Sequence, residues 1–318
     1  MYNMIYDIRI GSYKLAMVEQ VTITKSVEKL SDTATITLPA TAYNRALEIE
    51  DKIKRGDAVT IQLGYNKTLV PEFEGFVDKI TNDGGSLTIE IEDALFAYKE
   101  SIPDKDMKNV SVRNIIAYLH TYIKGYSLAC DYDFSYESFV ISNATGYDVL
   151  KKIQDEAKPN VYVKDKTLHI HPQYIETFGS VIYDFAINVD AEGTELTYKR
   201  AEDRKILVVA EGKDAKGKVV RGEYGTTGGD KITVSIPGVS KQETLRQLAK
   251  EAHTQKVYEG FEGSIVGWLV PYCDAGYEAT IRDEEYEYKN GTYYVTEVVV
   301  EFSESGGKRT IKLGKKIK

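Results

Sequence analysis

Alternation is the feature of this chain that most narrows its choice of fold. Between Val18 and Leu95, polar and apolar residues exchange at period two, most clearly in Thr33-Ala-Thr-Ile-Thr-Leu38, Ala58-Val-Thr-Ile-Gln-Leu63 and Ser86-Leu-Thr-Ile-Glu-Ile91. That period sends successive side chains to opposite faces, so each segment predicts a β-strand with one buried face. Asn82-Asp83-Gly84-Gly85, lying between Val77-Asp-Lys-Ile80 and Ser86, supplies residues that tolerate the positive φ of a tight hairpin turn. Residues 1–98 are therefore expected to form an antiparallel barrel or sandwich.

Near Tyr98 the period lengthens. Ser111 precedes Val112, Ile115, Ile116, Leu119 and Ile123, which line one face of a helix of about three turns with Gly125 as its stop. Thr145 and Asp148 form a candidate cap for a second helix bearing Val149, Leu150, Ile153 and Ala157, and Pro159 prevents its continuation. A hairpin follows, Asn160-Val-Tyr-Val163 against Thr167-Leu-His-Ile-His171, turning at Lys164-Asp-Lys166. Residues 99–177 are expected as a small α/β insert.

Strands resume in Lys205-Ile-Leu-Val-Val209 and Lys231-Ile-Thr-Val-Ser-Ile236. Ser240 and Glu243 then suggest a capping box for a helix over about 240–257 that carries Leu245, Leu248, Ala249 and Ala252. Tyr277-Glu-Ala-Thr-Ile281, Thr292–Val300 and Arg309-Thr-Ile-Lys-Leu313 read as further strands, with Asn290-Gly291 as a hairpin turn. Residues 178–318 are expected as a second β domain interrupted by that helix. A faint repeat links the two β domains: Gly56-Asp-Ala-Val-Thr-Ile61 with Gly75-Phe-Val-Asp-Lys-Ile80, and Gly276-Tyr-Glu-Ala-Thr-Ile281 with Gly291–Val298, each glycine, strand, loop, glycine, strand. A chain with two similar barrels, assembled as a trimer, would present six similar barrels and could stack on a six-fold partner.

Composition excludes several classes. No apolar run approaches the roughly 20 residues of a membrane helix, and Met1 to Ile10 alternates like a strand instead of a secretion signal. Cys130 and Cys273 are too few and too far apart for a disulfide framework or a paired-cysteine metal site. Acids outnumber bases 49 to 41, which argues against a nucleic-acid-binding domain. The exception is the last eleven residues, with Lys308, Arg309, Lys312, Lys315, Lys316 and Lys318 and no acid. Read as a strand, this segment turns Ile311 and Leu313 inward and Lys312 outward, and the six bases are the candidate interface residues, for an acidic partner or for passing DNA.

The chemistry-bearing patterns are thin. His169-x-His171 puts two imidazoles on one strand face, but no further Cys, Asp or Glu at recognisable spacing completes a metal site, so no metal and no cofactor is expected. Gly225-Thr-Thr-Gly-Gly-Asp230 lacks the Gly-Lys-Ser/Thr entry into a helix that a phosphate loop needs, and Lys231 opens a strand. Asp283-Glu-Glu-Tyr-Glu287 reads as a solvated hairpin face, not a carboxylate pair across a cleft. No Gly-x-Ser-x-Gly elbow occurs. The 24 tyrosines fit half-buried strand faces first and interfaces second. The chain is expected not to be an enzyme.

Arg55-Gly-Asp-Ala-Val-Thr-Ile-Gln-Leu-Gly-Tyr65 followed by Glu72-Phe-Glu-Gly-Phe-Val77 resembles the first barrel of the phage late-control D proteins, the baseplate hubs. Ser111–Ile116, Tyr147–Ile153 and the short hairpin are similar to that family's insert, and the segments from Ser240, Tyr258–Ser264, Gly291–Val298 and Phe302–Thr310 follow its order. The resemblance is end to end. It implies a mainly β chain in which two tail-tube-like antiparallel barrels flank a small α/β domain. It further implies a homotrimeric ring with a central channel that adapts a hexameric tail tube to a trimeric spike in a phage tail, tailocin or other contractile injection system. Tail tube, spike, and tape-measure or baseplate wedge proteins are then the partners, the virion baseplate the location, and DNA only a passing cargo. Type VI spike proteins of this group continue into an OB-fold and a needle, so here the spike is expected as a separate polypeptide. The alternative is a carbohydrate-binding or cell-wall-degrading protein of the tail tip.

Overall fold

The computed structural model describes residues 3–39, 52–82, 86–190, 192–214, 217–236, 238–287 and 290–317. The expected Asn82–Gly85 turn lies outside them except for Asn82. Along the chain the strands are β1 Met4–Ile10, β2 Tyr13–Lys14, β3 Gln20–Ser26, β4 Thr33–Pro39, β5 Ala58–Tyr65, β6 Thr68–Asn82 and β7 Ser86–Glu92. Next come β8 Ser101–Ile102, β9 Lys105–Ser111, helix α1 Val112–Leu119, β10 Ser127–Cys130, β11 Ser135–Ile141, β12 Ala144–Thr145, helix α2 Gly146–Ala157, β13 Pro159–Lys164 and β14 Thr167–Pro172. The remainder comprises β15 Ser180–Asp184, β16 Glu195–Lys199, β17 Ile206–Lys213, β18 Val219–Gly225, β19 Asp230–Ser235, helix α3 Gln242–Lys256, β20 Gly260–Trp268, β21 Glu278–Arg282, β22 Gly291–Ser303 and β23 Gly306–Lys316. The protein is mainly β.

Two compact units result, one from residues 1–96, 176–197 and 262–318, the other from 97–175 and 198–261. In the first, a 13-stranded sheet runs β16-β20-β23-β22-β3-β4-β7-β6-β5-β1-β2, with β21 on β22 and β15 on β21. The β regions near the two ends of the chain therefore share one sheet, joined where β3 pairs antiparallel with β22 from Ser26↔Glu297 to Gln20↔Ser303. Alternation explains the core: Val21 and Ile23 of β3, Ile36 and Leu38 of β4, Ile89 and Ile91 of β7, and Val298 and Val300 of β22 are all buried. The repeat also has a backbone counterpart. Gly56, at φ +90°, donates from N to Val77 O at 2.8 Å, and Val77 N donates to Asp57 O at 2.9 Å. Gly276, at φ +81°, donates to Val295 O at 2.8 Å, and Val295 N donates to Tyr277 O at 2.9 Å. Val77 thus matches Val295, which aligns Gly75 with Tyr293 and not with Gly291. The Asn290-Gly291 turn is a correction as well: Gly291 already pairs with Ile281 inside the ladder, as the first residue of β22.

In the second unit, β10, β14 and β13 form one sheet, β17 lies between β18 and β19 in another, and β9 pairs with β11. Ser111 caps α1 by accepting from Asn114 N at 3.2 Å, but the helix ends at Leu119, shorter than expected, with Gly125 at φ +87° in the connection beyond. The capping box of α2 forms: Thr145 Oγ1 accepts from Asp148 N at 3.1 Å and Asp148 accepts from Thr145 N at 2.9 Å. Asp165 and Lys166 take positive φ in the β13–β14 turn. The Ser240–Glu243 box does not form. α3 begins after Lys241 with no side-chain cap, while the Ser240 hydroxyl donates to Glu137 on β11. Glu137 also accepts from the Ser240 and Lys241 amides, each at 3.1 Å, so a carboxylate remote in sequence serves the amides just before the helix. That ligation holds the Glu137 carboxyl below its usual range, the Ser240 hydroxyl contributing most. Residues 198–261, the helix included, group in this unit with 97–175.

Candidate functional site

The terminal strand β23 carries most of the candidate interface residues. Strand parity turns Lys308 and Lys312 to solvent and buries Ile311 and Leu313 as expected; beyond Leu313 the alternation breaks where the β22–β23 register shifts, leaving Lys315 exposed and Lys316 half-buried. Arg309 shares the inward parity and is 1% exposed, so it is withdrawn from the surface set. Lys318 lies outside the described residues.

The outward lysines do not make a basic face. Lys308 lies opposite Glu301 and Lys312 opposite Glu297 in the β22–β23 ladder, close enough for opposite charges to offset each other. Lys308 also approaches Asp190 at 3.6 Å, and Glu297 pairs with Lys29 at 2.8 Å. Across the sheet the registers align Lys308, Glu301, Thr22, Thr35, Glu90 and Lys79 in one row. Its charges read plus, minus, neutral, neutral, minus, plus. Lys312 and Lys315 form no ion pair among the described residues.

Inward-facing Arg309 anchors a polar seam between strands from the two ends of the chain. Its Nη2 donates to Glu72 Oε1 of β6 at 2.6 Å, its Nη1 to Cys273 O at 2.8 Å, and its Nε and Nη2 to Leu269 O. The guanidinium lies 4.9 Å from the Tyr272 ring centre. Burial drives the Glu72 carboxyl above its usual range even with Arg309 beside it. Beside this pair, Lys25 of β3 holds Asp274 at 2.8 Å, and Tyr272 donates to the same carboxylate oxygen at 2.8 Å. Asp32 accepts from Ser26 N at 2.9 Å, and its own amide donates to Asp93 at 3.0 Å. Burial, reinforced by the Asp93 charge, pushes the Asp32 carboxyl up to about 8. Burial also pushes Asp93 up to about 6. The Cys273 thiol, raised by burial to about 12, stays protonated and unreactive.

These groups are ligated by the protein itself and do not converge on an open cleft. No group of three or more His, Cys, Asp or Glu side chains able to hold a metal ion occurs among the described residues. No helix among them is long and apolar enough to cross a membrane. The Gly225–Asp230 segment leads from β18 into β19, with Gly225 against His253 of α3, and Asp283 accepts from the Glu285 and Tyr286 amides in a local turn.

No family model matches the chain, and no curated protein matches it. Solved structures do. The tail protein from Neisseria meningitidis MC58 superposes with a TM-score of 0.66 at 14% identity, covering 99% of this chain and 97% of that one. The 43 kDa tail protein of prophage MuSo2 from Shewanella oneidensis gives 0.65 at 14% identity, covering 98% of both chains. An E. coli type VI secretion component, described as similar in structure to the bacteriophage T4 tail proteins gp27 and gp5, gives 0.61 at 7% identity over 98% of this chain and 77% of its own. The protein has the fold of these tail proteins.

Proposed function

We propose that the chain is a non-enzymatic baseplate hub of the late-control D type. Three copies form a ring that adapts a hexameric tail tube to a trimeric spike in a phage tail or related injection system. The observation that carries this reading is the end-to-end likeness to tail proteins from two bacteria, 97% or more of either partner in both cases. The repeated glycine knots at Gly56 and Gly276 support it, because two like modules per chain are what a three-copy ring needs to meet six-fold symmetry. On this reading 1–98 and 178–318 are the two tube-like modules and 99–177 is the insert. Its location is the virion baseplate, with tube, spike and tape-measure or wedge proteins as neighbours and DNA passing through the ring. Exposed Lys312 and Lys315 remain as the interface charges. Electron microscopy of the full chain with and without its spike partner tests this. Three-fold rings are expected, and a monomer that binds neither tube nor spike at assembly concentration would overturn it. Hydrolysis of peptidoglycan, or binding on a glycan array, would favour the tail-tip alternative instead.

A further inference from the structure

The second unit contains a histidine pair that the hub reading does not use. His169 and His171 share one face of β14, two residues apart, and the strand's pleat brings His171 Nε2 within 3.3 Å of His169 Nδ1. On its other side His171 Nδ1 meets Asp131 Oδ1 at 2.6 Å. A carboxylate only accepts, so the neutral form of the His171 imidazole carries its hydrogen on Nδ1 and turns the lone pair of Nε2 towards His169. The His169 ring is held flat against Tyr162 of β13, centroids 4.7 Å apart and planes 1° from parallel. His171 is 6% exposed, whereas the Asp131 side chain is 63% exposed.

We propose that His169 Nδ1 and His171 Nε2 chelate one divalent transition-metal ion of the zinc, nickel or copper class, with Asp131 as the carboxylate that orients His171. Two ligands at about 2.0–2.1 Å on a tetrahedral centre stand about 3.3 Å apart, which is the separation of these two nitrogens. A carboxylate on the far nitrogen of a ligating imidazole is the usual support of such a site, since it fixes the tautomer and raises the basicity of the ligand. On binding, the hydrogen of neutral His169 moves from Nδ1 to Nε2, and the ion takes the place of the N–H between the rings with no net loss of a proton. Small rotations of the rings bring both lone pairs onto the ion, and the other coordination positions go to water. Two imidazole nitrogens with no carboxylate or carbonyl ligand from the protein select against magnesium and calcium. The inference does not depend on the hub reading.

Calorimetric titration of the full chain with zinc or nickel chloride tests it, circular dichroism verifying the fold of each variant. One ion per chain is expected. His169→Phe, which keeps a flat ring on Tyr162 but removes the nitrogen, should weaken binding at least 30-fold. Asp131→Asn, at an exposed position, should weaken it 10–100-fold. His253→Ala should leave it unchanged. Absence of binding up to about 1 mM ion, undiminished binding by His169→Phe or Asp131→Asn, loss of binding in His253→Ala, or equal binding of magnesium would each overturn the proposal.

Discussion

The β5–β6 and β21–β22 hairpins share a backbone and differ in what surrounds it. In both, a glycine at positive φ donates to a valine carbonyl, the valine amide returns a bond to the next residue, and that residue's amide donates three residues back, Asp57 to Lys54 O at 3.0 Å and Tyr277 to Asp274 O at 3.2 Å. Around the first knot the side chains are peripheral. Arg55 stacks 4.8 Å from the Phe96 ring and pairs with Asp78 at 3.1 Å while remaining 59% exposed. Around the second they belong to the polar seam, with Asp274 between Lys25 and Tyr272, next to Arg309. The glycine secures the shape, and the residues beside it decide whether the hairpin ends in solvent or clamps the two ends of the chain together.

The largest test of that contrast removes the clamp. Arg309→Met leaves Glu72 buried without its partner and should destabilise the protein by about 3–5 kcal/mol in urea unfolding. Adding Glu72→Leu should recover much of that, because an apolar pair of similar volume often replaces a buried ion pair without net loss. Recovery would show that the loss in the single variant comes from a buried charge left without its partner and that apolar packing can replace the pair.

The knots themselves should respond unequally to alanine. A Cβ at Gly276 would sit 2.5 Å from Phe178 Cδ2, whereas at Gly56 the nearest atom is 3.8 Å away in Phe96. Gly56→Ala should lose about 1 kcal/mol from its φ alone, and Gly276→Ala about 2–3 kcal/mol from φ and clash together, read as unfolding midpoints. Equal losses would mean that the second hairpin yields as easily as the first.

Acidity separates the regions next. Asp32 and Asp93 hold protons more tightly folded than unfolded, so their contribution is full below the ordinary carboxyl range and disappears as pH rises through about 6 and then about 8. Thermal melts should therefore show stability falling between about pH 4 and pH 8, on the order of several kcal/mol, and Asp32→Asn should flatten the slope. The smallest effect belongs to the peripheral knot: Arg55→Ala should change stability by under about 1 kcal/mol, diminishing with salt, because exposed ion pairs contribute little.

Much of this was legible in sequence because it is local. Alternation located β4, β5, β7 and β23, and Thr145 with Asp148 announced the start of α2, since a capping box spans three residues. Ser240 misled for the converse reason: its hydroxyl answers to Glu137, 103 positions away. Arg309 was misplaced although the signal was present. It shares the parity of Ile311 and Leu313, and a base at an inward position requires a buried acid, but nothing local points to Glu72, 237 residues earlier. The Asn290-Gly291 pair shows that a favourable turn dipeptide can open a strand when the connection before it is longer. His169 and His171 were placed on one face correctly, but Asp131 reaches them from β10's end through a parallel pairing that spacing does not encode.

The ladder between β3 and β22 has a consequence for the making of the protein. During synthesis β3 emerges roughly 270 residues ahead of the partner for one of its edges. Until then that edge presents unpaired amides and carbonyls, the kind of template on which strands of neighbouring nascent chains can pair. Completion of the sheet therefore waits for β22 to be made. A prematurely terminated product, lacking β22, would be the species most prone to aggregate.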